Sequence, residues 1–304
     1  MNPTCDKYIV MKYFLAILVL TCYGFSSVYA DKPAYRIYNT KGHKTTYEEL
    51  LKKATEVQVI LFGEIHDNPI SHWLQYELTK DLFQVKQQKL LLAAEMFEAD
   101  NQLLLNEYTR KFIRKKDFEN EAKLWPNYRT DYAPLVDFAR DHELKFIGSN
   151  VPRRYAAIVN YQGFGGLDSI NAYQRALIAP LPIKFDSTLN CYNSMKSMFT
   201  GEGPMHQQMN LAEAQAIKDA TMAWFLVKNI DEGTTVLHFN GAYHSDNYEG
   251  IVWYLKDFAK KFPFQVEVLT VTCVEQEDIE SLSAEFLGRA DFIICIPKSM
   301  TNTY

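Results

Sequence analysis

The chain has 304 residues, of which 47% are hydrophobic and 23% are charged. This composition is typical of a folded globular protein and excludes extensive disorder. The formal net charge is −5, and no cluster of lysine and arginine of the kind that follows nucleic-acid phosphates is present. Nucleic-acid binding therefore has no support from the sequence, and we expect no nucleic-acid partner.

The amino terminus has the features of a secretory signal peptide. Two lysines precede an apolar stretch at 13–25, and the small-x-small pattern of signal peptidase sites ends at Ala30. The apolar stretch is short for a transmembrane helix. We expect a signal peptide over residues 1–30, a single α/β domain over residues 31–304, and a periplasmic or outer-membrane-associated protein. Cys22 leaves lipidation open, although the preceding threonine departs from the lipoprotein pattern.

After a polar segment at 31–47, apolar β-branched runs alternate with stretches of helical periodicity. The predicted strands are 57–62, 90–94, 144–149, 234–239, 266–274 and 292–297. The predicted helices are 46–56, 69–86, 98–116, 118–125, 132–142, 153–161, 210–228 and 248–261. This alternation predicts an α/β fold, with a mainly parallel sheet flanked by helices. An irregular and partly helical insertion is expected before the long helix at 210–228.

Polar side chains follow four of the predicted strands. In chain order they are Glu64 and His66, Glu95, Asn150 and Arg153, and His244. Sites of open α/β sheets form at the carboxyl ends of the strands, so we expect these side chains to meet in one crevice. The motif Gly-x-x-His occurs at 63–66 and again at 241–244. Its glycine predicts a sharp turn that directs the histidine into the crevice.

This set of residues supports more than one chemistry. Glu64, His66 and His244 have the donor types of a divalent metal site, with Glu95 as a further ligand or an orienting group. A glutamate beside a histidine also forms a general base without a metal. A third interpretation is structural, in which these groups cap the following helices and satisfy amides of the turns.

The insertion at 181–209 contains a second group of candidate ligands. Met205, His206 and Met209 lie close together in sequence, and Tyr192 precedes them. Methionine, histidine and tyrosine are the usual axial donors to haem iron. The alternative is that the methionines pack as adaptable apolar filler.

Two residue types receive a structural interpretation. Cys273 and Cys295 lie in apolar runs and are expected to be buried thiols, with a bridge between neighbouring strands as the alternative. His238 lies inside a predicted strand and is expected to be a buried histidine with satisfied hydrogen bonds.

Together, these motifs resemble the ChaN family. The resemblance is carried by the paired Gly-x-x-His motifs, by Glu95 at a strand end, by NxPRR at 150–154, and by AQAIKDATMA in the long helix. It extends from about Val57 to about Phe262. It implies an α/β protein that binds haem for haem or iron uptake, at a homodimer interface and with tyrosine ligation. An outer-membrane receptor is a further implied partner.

Under this resemblance the candidate haem-binding residues are Tyr192, Met205, His206, Met209, Asn150 and Arg153. The wider Tiki/TraB-like superfamily implies an alternative function, a metal-dependent hydrolase. In that case Glu64, His66, Glu95 and His244 match the catalytic pattern, with a divalent metal as cofactor.

Overall fold

The apolar runs of the sequence form the centre of one mixed β-sheet. The computed structural model describes residues 32–198, 210–261 and 265–303. Within those residues the sheet has eight strands: β1 (Arg36–Asn39), β2 (Lys44–Thr45), β3 (Val59–Glu64), β4 (Leu90–Glu98), β5 (Phe146–Asn150), β6 (Thr235–Gly241), β7 (Val268–Gln276) and β8 (Phe292–Pro297). Their order is β2-β1-β8-β7-β3-β6-β4-β5. Strand β1 runs antiparallel to β2 and β8, and the other neighbouring pairs are parallel. The predicted α/β fold is confirmed.

Helices connect the strands and cover the sheet. In the described ranges the α-helices are α1 (Tyr47–Ala54), α2 (Pro69–Lys86), α3 (Gln102–Thr109), α4 (Lys115–Glu121), α5 (Ala133–Asp141), α6 (Arg153–Gln162), α7 (Ala172–Arg175), α8 (Asn190–Met198), α9 (Leu211–Asn229) and α10 (Ile251–Phe258). A π-helical turn precedes α5 at Tyr128–Tyr132. Single 3-10 turns occupy Gln87–Lys89, Ala99–Asn101, Phe164–Leu167, Ala242–His244, Asp246–Tyr248, Ala259–Lys261 and Ala284–Phe286.

The central strands are apolar on both sides because both sides of the sheet are covered. Ile60 and Phe62 of β3 belong to an apolar cluster that also contains residues of α2 and α5. Val59 and Leu61 of the same strand belong to a second cluster, with residues of α9 and α10. Burying one such side chain contributes roughly 1.5–3 kcal/mol. The strand is therefore held from both faces, which gives a rigid support for the residues at its carboxyl end.

A small layer of helices packs on the N-terminal half of α9. Tyr155 and Val159 of α6 form one cluster with Ala214 and Ile217 of α9. We call residues 153–183, which include α6 and α7, the helical layer. Together with α8, the helical layer precedes α9, where the sequence predicted a partly helical insertion.

At the β5 edge of the sheet, a side chain forms hydrogen bonds with the backbone of the edge strand. Strand β5 is an edge strand, and Gln102 of α3 takes the place of a further strand. Its Nε2 donates to the carbonyl of Phe146 (2.8 Å), and its Oε1 accepts from the amide of Gly148 (2.9 Å). An edge whose backbone groups are paired in this way is protected from pairing with another chain.

The structure differs from the sequence prediction in several places, chiefly in the amino-terminal segment and in the bounds of two helices. The segment expected to be a polar lead-in contains β1 and β2. The helix predicted over 98–116 ends at Thr109, because Lys111 has a positive φ of 64° that an α-helix does not accommodate. The last predicted helix begins at Ile251 rather than at residue 248, since Asn247 and Gly250 also have positive φ.

Candidate functional site

Adjacent parallel strands bring the predicted polar residues to one edge of the sheet. Strands β3, β6 and β4 are neighbours in that order. Glu64 ends β3 and pairs in register with Gly241 at the end of β6. Glu95 lies where the pairing of β4 with β5 is irregular, between Ala94 and Glu98. We call the resulting group of Glu64, His66, Glu95 and His244 the crevice.

The first half of the crevice is a buried carboxylate bound to an imidazole. Glu64 Oε1 lies 2.9 Å from His66 Nδ1 and accepts from the hydroxyl of Tyr132 (2.7 Å). Its Oε2 accepts from Gln75 Nε2 (2.5 Å). Burial alone raises the pKa of Glu64, but the His66 hydrogen bond, the positive potential of His72 and His66, and the Tyr132 hydrogen bond outweigh it and lower the pKa. The carboxylate therefore accepts hydrogen from His66 Nδ1.

The second half of the crevice is an imidazole held between two buried carboxylates. His244 Nε2 lies 3.1 Å from Glu95 Oε1, and its Nδ1 makes a short hydrogen bond to Asp219. Burial lowers the pKa of His244, but Glu95 and Asp219 together raise it to about 10. Gly241 donates its amide to Glu95 Oε2 (2.8 Å). Burial raises the pKa of the Glu95 carboxyl, yet the charge of His244 and its hydrogen bond lower it overall. His244 is therefore an imidazolium at neutral pH.

The two halves of the crevice meet at Gly63 and Gly241, whose role is mainly one of packing. A Cβ on Gly241 would lie 2.7 Å from His66 Nε2 and 3.6 Å from Glu95 Oε2. A Cβ on Gly63 would lie 2.9 Å from the Cα of Ala242. Gly63 lies within β3, and Gly241 is the last residue of β6. The chain turns after each motif glycine, but neither glycine adopts a positive φ, and both permit close packing of neighbouring strands and rings.

Hydrogen bonds from His72 and Asn127 fix the backbone position of His66. His72 Nε2 lies 3.0 Å from the carbonyl oxygen of His66, to which Asn127 Nδ2 also donates (2.9 Å). His72 Nδ1 lies 3.8 Å from Glu64, and its Nε2 lies 3.5 Å from Asp131. With this backbone carbonyl bound twice, His66 has little freedom to move.

The last described residues brace the same turn. Asn302 Nδ2 donates to Asp67 Oδ2 (2.6 Å), and the amide of Thr303 donates to the carbonyl of Asp67 (2.8 Å). Thr303 Oγ1 also donates to Asp131 (2.8 Å). These bonds link the carboxyl-terminal segment to the residues that hold His66.

An open cleft lies beside the crevice. It has a volume of about 430 Å³ and is lined by Met96, Glu98, Lys123, Leu124, Trp125, Arg153 and Arg154. We call it the Trp125 cleft. The Trp125 ring makes an edge contact with the ring of His66, with centroids 5.0 Å apart. The His66 side chain is 38% exposed, whereas Glu64 and His244 are buried. His66 is thus the crevice group that a molecule from solvent can reach.

The other predicted site residues lie in different places. Arg153 lines the Trp125 cleft, and Asn150 ends β5, paired in register with Glu98 of the same cleft. Tyr192 is fully buried on α8 and donates to Asp219 (2.7 Å). This placement does not favour Tyr192 as an iron ligand, because an axial ligand needs an accessible oxygen. The three remaining candidates, Met205, His206 and Met209, lie outside the described residues.

The metal site predicted from Glu64, His66 and His244 is not supported. Within 32–198, 210–261 and 265–303, no group of three or more histidine, cysteine, aspartate or glutamate side chains is arranged to hold a metal ion. The physical reason is that the carboxylate oxygens of the crevice are already engaged. Glu64 binds His66, Tyr132 and Gln75, and Glu95 binds His244.

The residues given a structural interpretation are as expected. His238 is buried, with Nδ1 3.0 Å from Asn240 Oδ1 and Nε2 2.8 Å from Ser149 Oγ. Burial lowers its pKa to about 4, so the ring is neutral. Cys273 and Cys295 are buried free thiols rather than a bridge.

Sequence reasoning missed Asp219, which is the second partner of His244. The sequence contains a pattern that places Asp219 on the buried side of the helix. Asp219 follows Ala216 by three residues and precedes Ala223 by four, and this helical spacing places it on the buried face of α9. A carboxylate on an apolar helix face needs a partner. The identity of that partner depends on the packing of α9 against the 3-10 turn at His244, which the spacing does not give.

Comparison with known proteins identifies the family. Residues 50–255 match the family described as "Haem-binding uptake, Tiki superfamily, ChaN". The chain belongs to this ChaN family. The family resemblance predicted from the motifs is thereby confirmed, and the match includes all four crevice residues.

Solved structures show the same fold. The structure titled "Cofacial heme binding to ChaN of Campylobacter jejuni" has a TM-score of 0.64 and 20% sequence identity, and the alignment covers 86% of this chain and 97% of that chain. At this identity the similarity establishes the fold alone. A mutant of the erythromycin esterase EreC aligns over 89% of this chain and 83% of its own, with 11% identity and a TM-score of 0.46. That lower similarity does not indicate a shared activity.

One curated plant relative matches part of the chain. "Protein RETICULATA-RELATED 5, chloroplastic" of Arabidopsis thaliana is 25% identical over 204 residues, which are 64% of this chain and 27% of that protein. The ChaN-family chain thus spans about a quarter of the length of this relative. Across the described part of the chain, none of the helices has the length and apolar character needed to cross a bilayer.

The charge of His244 makes stability depend on pH. Its folded pKa of about 10 lies above the unfolded value of 6.5. Its contribution is therefore complete below pH 6.5 and is lost as the pH rises through about 10. We expect the free energy of unfolding in urea to fall between pH 6.5 and 8.5, by at most about 1.4 kcal/mol per pH unit for each proton.

Two variants and an NMR titration test this expectation. His244→Gln should flatten the pH dependence, and His43→Gln, at an exposed position, should leave it unchanged. If His244→Gln does not fold, an NMR titration of the unmodified chain should still show His244 protonated beyond pH 8. Deprotonation of this ring near pH 6.5 would contradict the charge assignment.

Proposed function

We propose that this protein binds haem in the course of haem or iron uptake, as a dimer in which tyrosine is the axial ligand. The single observation that carries the proposal is the ChaN-family match over residues 50–255. The alignment with the Campylobacter jejuni protein, whose title describes cofacial haem binding, is consistent with it at the level of the fold.

The residues of the helical layer fit such a ligand. Among the tyrosines that the structure describes, Tyr161 and Tyr173 are more than half exposed, at 59% and 79%. Tyr161 lies on α6 and Tyr173 on α7. Phenolate oxygen is a known axial donor to haem iron, and a ligand shared across a dimer interface must be exposed in the single chain. When bound, haem supplies the iron centre, and the chain supplies its ligand and its enclosure.

A haemin titration tests the proposal. We expect a saturable shift of the Soret band with the full chain, and a change in its position or affinity in Tyr161→Phe or Tyr173→Phe. Sedimentation should show that haemin increases the dimer fraction. Tyr76→Phe, a partly buried tyrosine on α2, is the control and should bind as the unmodified chain does.

Each negative result has a separate meaning. The absence of any saturable shift argues against haem binding altogether. A shift that both tyrosine variants leave intact moves the ligand elsewhere, and His206→Ala then tests the segment that the sequence singled out. A haem complex that stays monomeric argues against the shared interface.

The proposal includes export. A signal peptide at 1–30 places the mature chain in the periplasm or at the outer membrane, where an outer-membrane receptor is a suitable partner. Mass measurement of the exported protein should give a chain that begins at Asp31. A mass with an added lipid on Cys22 would instead favour a membrane anchor, and a full-length cytoplasmic chain would contradict export. Cross-linking in intact cells tests the receptor.

The crevice favours a second function, hydrolysis by a general base. His66 is the accessible ring, and its Nδ1–H is held by Glu64, so the neutral ring has an unprotonated Nε2. In this proposal Nε2 takes a proton from water while the water oxygen bonds to an ester carbonyl carbon. The proton then passes to the leaving oxygen as its bond to carbon breaks. Glu64 acts as the positioning residue for His66.

An ester assay tests this second function. Burial lowers the pKa of His66, but Glu64 and Glu95 raise it above its ordinary 6.5 overall. We therefore expect the hydrolysis rate for p-nitrophenyl acetate to rise with pH through that raised pKa. His66→Gln should lower the rate by about 100-fold or more, and Glu64→Gln should also lower it. His43→Gln is the matched control, and equal rates in all variants would rule the function out.

A further inference from the structure

One cation that lines the Trp125 cleft has no acidic partner among the described residues. Lys123 Nζ binds Glu98 (3.2 Å) and Asp100 (3.0 Å), and Arg154 binds Asp100 as well (2.5 Å). The side chain of Arg153 is exposed, and in the described ranges it makes no hydrogen bond and no salt bridge. Its guanidinium therefore remains available for a ligand. A guanidinium presents paired donors that match a carboxylate.

Part of the wall of the cleft is apolar and aromatic. Met96 is buried, and Leu124 and Trp125 are partly buried. Trp125 lines the cleft, and its ring also makes an edge contact with the ring of His66. A flat apolar group in this cleft therefore lies against the tryptophan that borders the crevice.

We propose that the Trp125 cleft binds an aromatic carboxylate, with Arg153 pairing with the carboxylate and Trp125 packing against the ring. The volume of about 430 Å³ falls in the range of roughly 300–1,000 Å³ that small-ligand sites occupy. Aromatic packing and a charge-assisted pair recognise the two parts of such a ligand separately. This site is additional to the exposed tyrosines of the helical layer and places its ligand beside His66.

Two sources supply this chemistry. One is the propionate-bearing edge of haem, and the other is a smaller aromatic carboxylate that serves the crevice. Both use Arg153 in the same way. A competition experiment between haemin and a small ligand distinguishes the two sources.

Calorimetric titration with 2-naphthoate tests the site directly. We expect 2-naphthoate to bind the full chain more tightly than the neutral analogue 2-naphthalenemethanol. Arg153→Met keeps the length of the side chain and removes its charge, so it should weaken 2-naphthoate about tenfold or more and leave the neutral analogue unchanged. Trp125→Ala should weaken both probes.

Arg110→Met is the matched control, because Arg110 is also exposed and lines a different cavity with Asn106 and Glu143. No binding of 2-naphthoate, or equal losses in the Arg153 and Arg110 variants, would overturn the proposal. Competition by haemin, with weaker haemin binding in Arg153→Met, identifies the haem edge as the source. Naphthoate binding without competition identifies a separate small ligand. The naphthoate result stands whether or not the protein binds haem.

Discussion

The balance of buried charge in the crevice is the constraint on which the rest of the structure depends. Glu64, Glu95 and Asp219 are 2%, 6% and 1% exposed. A carboxylate at that depth costs several kcal/mol unless a partner compensates it. His66 and His244 supply that compensation, together with amide and hydroxyl donors from α2, α8, β6 and the π-helical turn. The elements around the sheet edge must therefore pack closely enough to bring all these donors within hydrogen-bond distance.

The sheet provides that closeness in two ways. Strand β3 is apolar on both faces, so helices fix it from both sides and its carboxyl end has little freedom. Gly63 and Gly241 then remove the side chains that would separate neighbouring strands from each other and from the ring of His66. Any larger residue at Gly241 would occupy the position of the imidazole. The motif glycines thus act by leaving space for neighbouring backbone and side-chain atoms. The positions of the histidines are determined by where the strands end.

The sequence carried the parts of this arrangement that follow from local pattern. Alternating strands and helices predict a parallel sheet, and parallel strands predict that Glu64 and Glu95 meet His66 and His244. Three features depended on tertiary contacts that no local pattern reports. Asp219 pairs with His244 only through the packing of α9. The polar segment at 36–45 becomes a strand pair because β8 offers it an edge. Tyr192 appears in sequence as a possible ligand, whereas packing buries it against Asp219.

The free-energy cost of burying the charged groups of the crevice bears on the function of the protein. A buried ion pair is a weak way to stabilise a fold, since apolar residues of similar volume often do as well or better. Three buried carboxylates around two imidazoles are therefore better explained by chemistry than by stability. Helix α9 connects this chemistry with the haem-binding proposal. Its Asp219 holds His244, and its Ala214 and Ile217 pack on α6, which carries Tyr161. One rigid helix thus supports both the imidazolium of the crevice and the layer that presents the exposed tyrosines.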